Sequence, residues 1–410
     1  MLRFAPSPTA DMHLSSLRVA IFNYIVSQQK NEDFIVRIED TDKENNIEDK
    51  DKEILDLLTL FNIKYSQVIY QSENVRFHTA MALQLMHENK AFSCFCSPNW
   101  LENKREEAKV NKKPYRYDDA CRNLPDELVL DNTNPFTIRI KKPDKTSSDD
   151  KNIDSFIIMD QNKIPTYNFA CAVDDMLSDI SVVIRSEEQK SNTAKQNYIR
   201  ESLGYEKQVQ YIHLPIISND PSVKWLLEEG FLPEAILNYL VSIGNKAPYK
   251  IFTMAEAIEC FDLSEVSKSP IEFDITVLRH INKEYLNKLD DKELSRYVGF
   301  ADEEIGKLAK VYLEEVSTTK ELKSKISAIF AKKEIPEEFS ESARSISQII
   351  KKAPYFEKYE EFEKYILNET VLTAEKLSKP LRYLLTGAEN GPDIAKVYKY
   401  LKNYIGEIIK

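Results

Sequence analysis

A chain of 410 residues with 42% hydrophobic content has room for two or three domains, each with its own core. The apolar residues fall in short periodic segments far from the roughly 20 consecutive apolar residues that span a bilayer, and no charged-then-apolar leader opens the chain, so no membrane role and a cytoplasmic location are expected. A net charge of -11 excludes a general polyanion binder, although a local basic face remains compatible with it, and five cysteines fit a reducing compartment rather than a disulfide framework.

Only 8 glycines occur, where ordinary usage gives roughly 29, and the first is Gly204. A glycine-rich phosphate cradle is thereby excluded from the N-terminal half, which has no residue that freely accepts positive φ.

In chain order, Leu2-Arg3-Phe4-Ala5 reads as a short strand, ended by Pro6-Ser7-Pro8-Thr9. Residues 17–26 carry helical spacing, with Ser15 or Ser16 placed to cap the helix, and Phe34–Ile38 reads as a buried strand. Strand, helix and strand within about 40 residues form a βαβ unit opening a parallel, doubly wound sheet. Residues 71–149 interrupt it as an insertion holding Cys94-Phe95-Cys96 and the strand-like Phe136–Ile140. The alternation then resumes with Ser155–Met159 and Ile180–Ile184. Beyond Trp225 helical spacing continues to Lys410, giving an all-α second half with mixed, solvated charge. The expected division is a split nucleotide- and amino-acid-binding domain (1–70 and 150–220), the insertion, a helical connecting domain (221–300) and a helical C-terminal domain (301–410). A monomer is expected.

Arg3 at the end of the first strand and Glu39-Asp40-Thr41-Asp42 at the end of the second put a cation and carboxylates at one crevice of an open sheet, where such folds bind ligands. Alone, each is a common strand-end residue. His78, His87, His213 and His280 lack ligand spacing and read as surface or core residues, and Cys260 as a buried one.

Five segments appear in order: Arg3–Thr9 with Met12-His13-Leu14; Arg37–Asp42; Pro165–Ala170 with Val173-Asp174-Asp175; Leu232–Leu240; and Pro380–Ala388. Together they resemble the successive signatures of glutamyl-tRNA synthetases, class I enzymes that join glutamate to ATP as an adenylate, generally with tRNA present, and pass the glutamyl group to tRNA. The resemblance implies a Rossmann-like α/β fold with an inserted acceptor-stem domain, and helical stem-contact and anticodon-binding domains. It implies a glutamate pocket of Arg3, Ala5, Ser7, Glu39, Tyr167, Cys171 and Arg185. Arginines suit carboxylates through forked hydrogen bonds, Glu39 an ammonium, and Tyr167 a wall with a polar tip.

The ATP side departs from the family pattern. His13 remains, but Ala10 and Ser15 stand where glycines let adenine lie on backbone at a helix N-terminus. The family's mobile lysine loop, which stabilises charge developing on pyrophosphate, belongs between Ile217 and Ser222. Only Ser218-Asn219-Asp220-Pro221 lies there, and Lys224 reads as an ordinary helix-start residue. A further shortening falls near Thr146 to Asp150. Losing one such donor typically costs about 10² to 10³ in rate. The expectation is therefore a binding or regulatory paralogue that keeps the glutamate pocket and a tRNA surface, with glutamate and tRNA as partners, while ATP-dependent activation is lost or severely impaired. The alternative is an active glutamate–tRNA ligase using ATP with Mg at an unusual site.

Cys94, Cys96, Tyr117 and Cys121 resemble the zinc-binding insertion of the family, with Tyr117 as fourth ligand because Asn123 stands where a histidine is usual. Reduced buried cysteines that keep the shape without metal are the other reading.

Overall fold

The computed structural model describes residues 1–143, 153–244 and 251–409. The shortening expected near Thr146 to Asp150 lies outside these residues. The described residues divide into two compact units: 1–220 with 244 and 254–272, and 221–243 with 251–253 and 273–409.

The first unit is built on a parallel sheet. Its strands are β1 (Leu2–Phe4), β2 (Phe34–Ile38), β3 (Gln67–Tyr70), and, after the elements of the insertion, β7 (Val182–Ser186) and β8 (Gln210–Leu214), in the spatial order β3-β2-β1-β7-β8. Every pairing in it is parallel. β1 and β2 are buried along their whole length, so apart from Arg3 and Arg37 their text is apolar: a parallel strand covered on both faces has no solvent side. The chain leaves β1 toward β2 on one side, while β7 leads to β8 on the other. Adjacent β1 and β7 therefore form the switch point where open α/β sheets hold ligands at their carboxyl ends.

Helix α1 (Leu14–Lys30) crosses between β1 and β2 and buries Leu14, Leu17, Ile21, Phe22 and Ile25. Its N-cap is His13, not Ser15 or Ser16; both serines lie inside the first turn, and His13 offers no side-chain cap. At the other end Asn31 takes the left-handed conformation at φ 52. This answers how a glycine-free stretch makes its turns. Among the described residues before Gly204, positive φ falls at Asn31, Asp49, Asn62, Asn89, Lys112, Asp119, Lys163 and Asp179. Six of these eight are Asn or Asp, whose short polar side chains tolerate that region best.

The insertion carries a second sheet, β4 (Ala91–Cys94), β5 (Thr137–Ile140) and β6 (Phe156–Met159), antiparallel throughout. Phe156–Met159 was expected to rejoin the parallel sheet. It pairs with β5 instead, because a short apolar run specifies burial but not partner. The parallel sheet resumes only after the helix Tyr167–Leu177, which delivers Tyr167, Cys171, Asp174 and Asp175. Cys260 is exposed rather than buried: it ends the short helix Met254–Cys260, whose buried position is Ala257.

The second unit is helical in its described residues. Asp274, Asp290, Asp302, Thr318 and Asp393 each cap a helix with their side chains. The helix Ala374–Thr386 carries the first seven residues of the Pro380–Ala388 segment and is capped by Gly387, at φ 74, where an added Cβ would stand 2.7 Å from the Ala328 carbonyl oxygen.

Candidate active site

A cleft of about 620 Å³ opens at the carboxyl end of the parallel sheet. Of the residues expected to hold ligand, Arg3, Ala5, Ser7, His13, Glu39, Tyr167 and Arg185 line it. Cys171 stands behind Glu39 and donates its thiol hydrogen to Glu39 Oε1 at 3.0 Å. Burial, reinforced by the Glu39 charge, pushes the Cys171 thiol well above its ordinary pKa, so it stays a neutral donor.

The floor is a buried ion cluster. Arg3 Nε and Arg37 Nη1 both donate to Asp175 Oδ1, at 3.1 and 2.5 Å, and Arg37 Nη2 donates to Glu39 Oε1 at 3.1 Å. Asp174 accepts from Gln71, Asn74 and His78 at 2.8 to 2.9 Å and lies 3.9 Å from Arg37 Nε. Burial alone raises the Asp175 pKa, but Arg3 and Arg37 outweigh it and hold the carboxylate down to about 2. Arg3 thus spends Nε on the cluster while its side chain still faces the cleft. Arg37, fully buried, is an anchor for Glu39 and not a ligand group.

Arg185 differs. It is 6% exposed and donates to Gln196 Oε1 and Thr193 Oγ1, both at 2.8 Å, and to His213 Nε2 at 3.4 Å. Burial and then the Arg185 charge lower the His213 pKa, so His213 is neutral at pH 7. Among the described residues no carboxylate lies within ion-pair distance of Arg185. Burial, with Arg3 adding to it, lowers the Arg185 pKa from its ordinary value. A buried guanidinium held only by neutral partners is set up to receive an anion from the cleft.

At the other end of the cleft, the short segment after β8 folds onto α1. Ile217–Ser218 (β9) pairs in parallel with Ile271–Glu272 (β10). Asp220 then accepts from the Ser15 amide at 3.2 and 3.3 Å and from the Ser15 hydroxyl, and its backbone oxygen stands 2.7 Å from His13 Nδ1.

In the insertion the sulfurs of Cys94, Cys96 and Cys121 lie within 4.8 Å of one another. Tyr117 Oη is 3.3 Å from Cys94 Sγ and 3.5 Å from Cys96 Sγ, and Cys96 and Cys121 are 3.6 Å apart. Arg139 Nε approaches Cys94 Sγ at 3.2 Å and its guanidinium lies 3.8 Å over the Tyr117 ring.

Sequence reasoning quoted Arg37, Asp174 and Asp175 only as parts of motifs, and missed the roles of His78, Gln196, His213 and Asp220. Charged residues at two strand ends and on one helix were the available signal for the ion cluster. No local signal marks Asp220, whose partners lie some two hundred positions away.

An open parallel sheet with a cleft lined by Arg3, Glu39 and Arg185 at its switch point, an adjoining helix N-terminus and an inserted small domain is the arrangement of a class I synthetase catalytic domain. Residues 1–280 match the family model described as tRNA synthetases class I (E and Q), catalytic domain, and the chain belongs to the glutamyl-tRNA synthetase family within that class. It is 63% identical to glutamate–tRNA ligase 2 of Sulfurimonas denitrificans and 49% identical to glutamate–tRNA ligase 1 of Nitratiruptor sp., each alignment covering 100% of both chains. The first alignment runs over 432 positions against 410 residues here, so at least 22 of its positions have no residue of this chain. In fold, a crystal structure of a glutamate tRNA ligase from Elizabethkingia meningosepticum, in complex with its amino acid, superposes with a TM-score of 0.80 at 24% identity, covering 99% of this chain and 97% of that one. No helix among the described residues is long and apolar enough to cross a membrane.

Proposed function

We propose that this protein is a glutamate–tRNA ligase, binding glutamate between Arg3, Glu39, Tyr167 and Arg185, activating it with ATP and Mg at the α1 end of the same cleft, and transferring it to tRNA in the cytoplasm. The observation that carries this reading is Arg185, a buried guanidinium with neutral partners facing a cleft of about 620 Å³. Its charge calls for a carboxylate, while Glu39, across the cleft, supplies the acceptor for an ammonium. The end-to-end likeness to proteins named glutamate–tRNA ligases supports activity over the expected loss of activation. Transfer of labelled glutamate to tRNA by the purified chain, at roughly 1 s⁻¹ or faster as in ordinary enzymes, is the test. Binding of glutamate without transfer would refute it.

One observation favours the second reading, a glutamate-binding protein with impaired activation. Residues 218–221 carry no lysine, and Asp220 sits on the first turn of α1. On that reading the chain binds glutamate but fails to form the adenylate.

Zinc is the metal proposed for the insertion, held by Cys94, Cys96, Cys121 and Tyr117. The donor set fits: sulfurs bound tetrahedrally at about 2.3 Å stand roughly 3.8 Å apart, close to the 3.6 Å between Cys96 and Cys121. Arg139 partly offsets the negative charge such a site accumulates. Its role is structural, tying β4 to the turn at Cys121. Purified protein is expected to contain about one zinc per chain, and Cys121→Ser to lose most of it. Zinc-free protein with all three thiols reactive in the native state would contradict the assignment.

A further inference from the structure

Strand register decides what stands behind Arg185. Arg185 on β7 is the direct partner of His213 on β8, so the two side chains share one face of the parallel sheet. Tyr211, two residues before His213 and on that same face, lies parallel to the His213 ring at 6.2 Å and holds the Arg185 guanidinium 4.9 Å from its own ring centre. Thr193 and Gln196 reach the guanidinium from the helix Thr193–Ser202. Arg185 lines the cleft; His213 meets it from behind.

The hydrogen bonds assign the imidazole proton. Arg185 Nη2 donates to Thr193 Oγ1 at 2.8 Å, which leaves the threonine hydroxyl hydrogen for His213 Nε2 at 3.2 Å. Arg185 Nε faces the same Nε2 at 3.4 Å and can only donate. A hydrogen on Nε2 would therefore point at an N–H of a cation, whereas a lone pair there serves both donors. The ring carries its proton on Nδ1, and burial with the neighbouring Arg185 charge keeps it neutral. The bonds close a loop from Nη2 through Thr193 to Nε2 and back to Nε. Each terminal nitrogen of the guanidinium keeps a second hydrogen for a carboxylate fork.

We infer that His213 is a positioning residue for glutamate: its Nε2 lone pair, presented by the Nδ1–H tautomer, locks the Nε edge of Arg185 so that the terminal hydrogens meet the substrate carboxylate. The inference rests on the reading of Arg185 as the carboxylate receptor. A guanidinium without this acceptor must be ordered anew by each incoming ligand, at a cost in affinity.

Two measurements near neutral pH test it. Imidazole nitrogen NMR of the full chain labelled at histidine, with the His213 signal identified by its loss in His213→Gln, is expected to show the neutral Nδ1–H tautomer; an Nε2–H tautomer or an imidazolium overturns the inference. Calorimetric titration with glutamate is expected to show about tenfold weaker binding in His213→Leu, the effect of one lost hydrogen bond to a charged group. His213→Gln, whose amide oxygen can take the place of Nε2, should recover most of that loss. Equal impairment of the two variants would mean packing rather than an acceptor and overturns the inference, as does unchanged binding in His213→Leu. If His213→Leu does not fold, His213→Met, which also lacks a strong acceptor, takes its place. Wild type that binds no glutamate refutes the pocket reading and this inference with it; wild type and His213→Leu that bind equally well refute the inference alone.

Discussion

Replacing Arg185 by alanine is expected to weaken glutamate binding by about a hundredfold or more, the effect of removing one partner of a buried charge pair. The size follows from its surroundings: Gln196, Thr193 and His213 position the guanidinium without neutralising it. Arg185→Lys keeps the charge but not the fork, and should still lose at least about tenfold. Calorimetry on variants that melt with wild type checks this. Near-native affinity in Arg185→Ala would remove the residue from the pocket.

The second large effect is on stability. Asp175 joins Arg3 and Arg37, so Asp175→Ala leaves two buried guanidinium groups short of their shared acceptor and should cost about 3–5 kcal/mol. The same residue sets an acid limit. Its folded pKa of about 2 lies below that of an unfolded aspartate. The stabilisation is therefore fully present above pH ~4, shrinks as pH falls, and is gone below pH ~2. The amount involved is about 2 kcal/mol. Denaturant unfolding between pH 5 and pH 2 should show that decline in wild type and a shallower one in Asp175→Asn. Parallel curves would mean Asp175 does not carry it.

Much of this architecture is legible in the text because it rests on local rules. β1 and β2 announce themselves as apolar runs beside Pro6 and Glu39, and α1 by its spacing. Arg3, Glu39 and Arg185 sit at strand ends, where the sheet must bring them together, whereas Tyr167 and Cys171 arrive on a helix. Legibility fails where a contact depends on distant pairing. Phe156–Met159 carries nothing that distinguishes β5 from the parallel sheet as its partner. The cap of α1 was sought in the neighbouring Ser15 and Ser16, yet the acceptor is Asp220, and Ser15 is its donor. His78 reads as a surface or core histidine with no carboxylate at ligand spacing; its partner Asp174 is 96 residues away. Asp220 shows the same limit from the functional side. A short segment without lysine suggests loss of a contact, whereas the structure adds a contact that text alone does not contain.

Whether ATP reaches the α1 end productively decides between an active ligase and a glutamate-binding relative. Glutamate-dependent exchange of pyrophosphate into ATP, with tRNA present, measures that step directly and precedes transfer to tRNA. The account predicts exchange that requires glutamate and is abolished by Arg185→Ala. A protein that binds glutamate through Arg185 but shows no exchange at saturating MgATP and tRNA would contradict it.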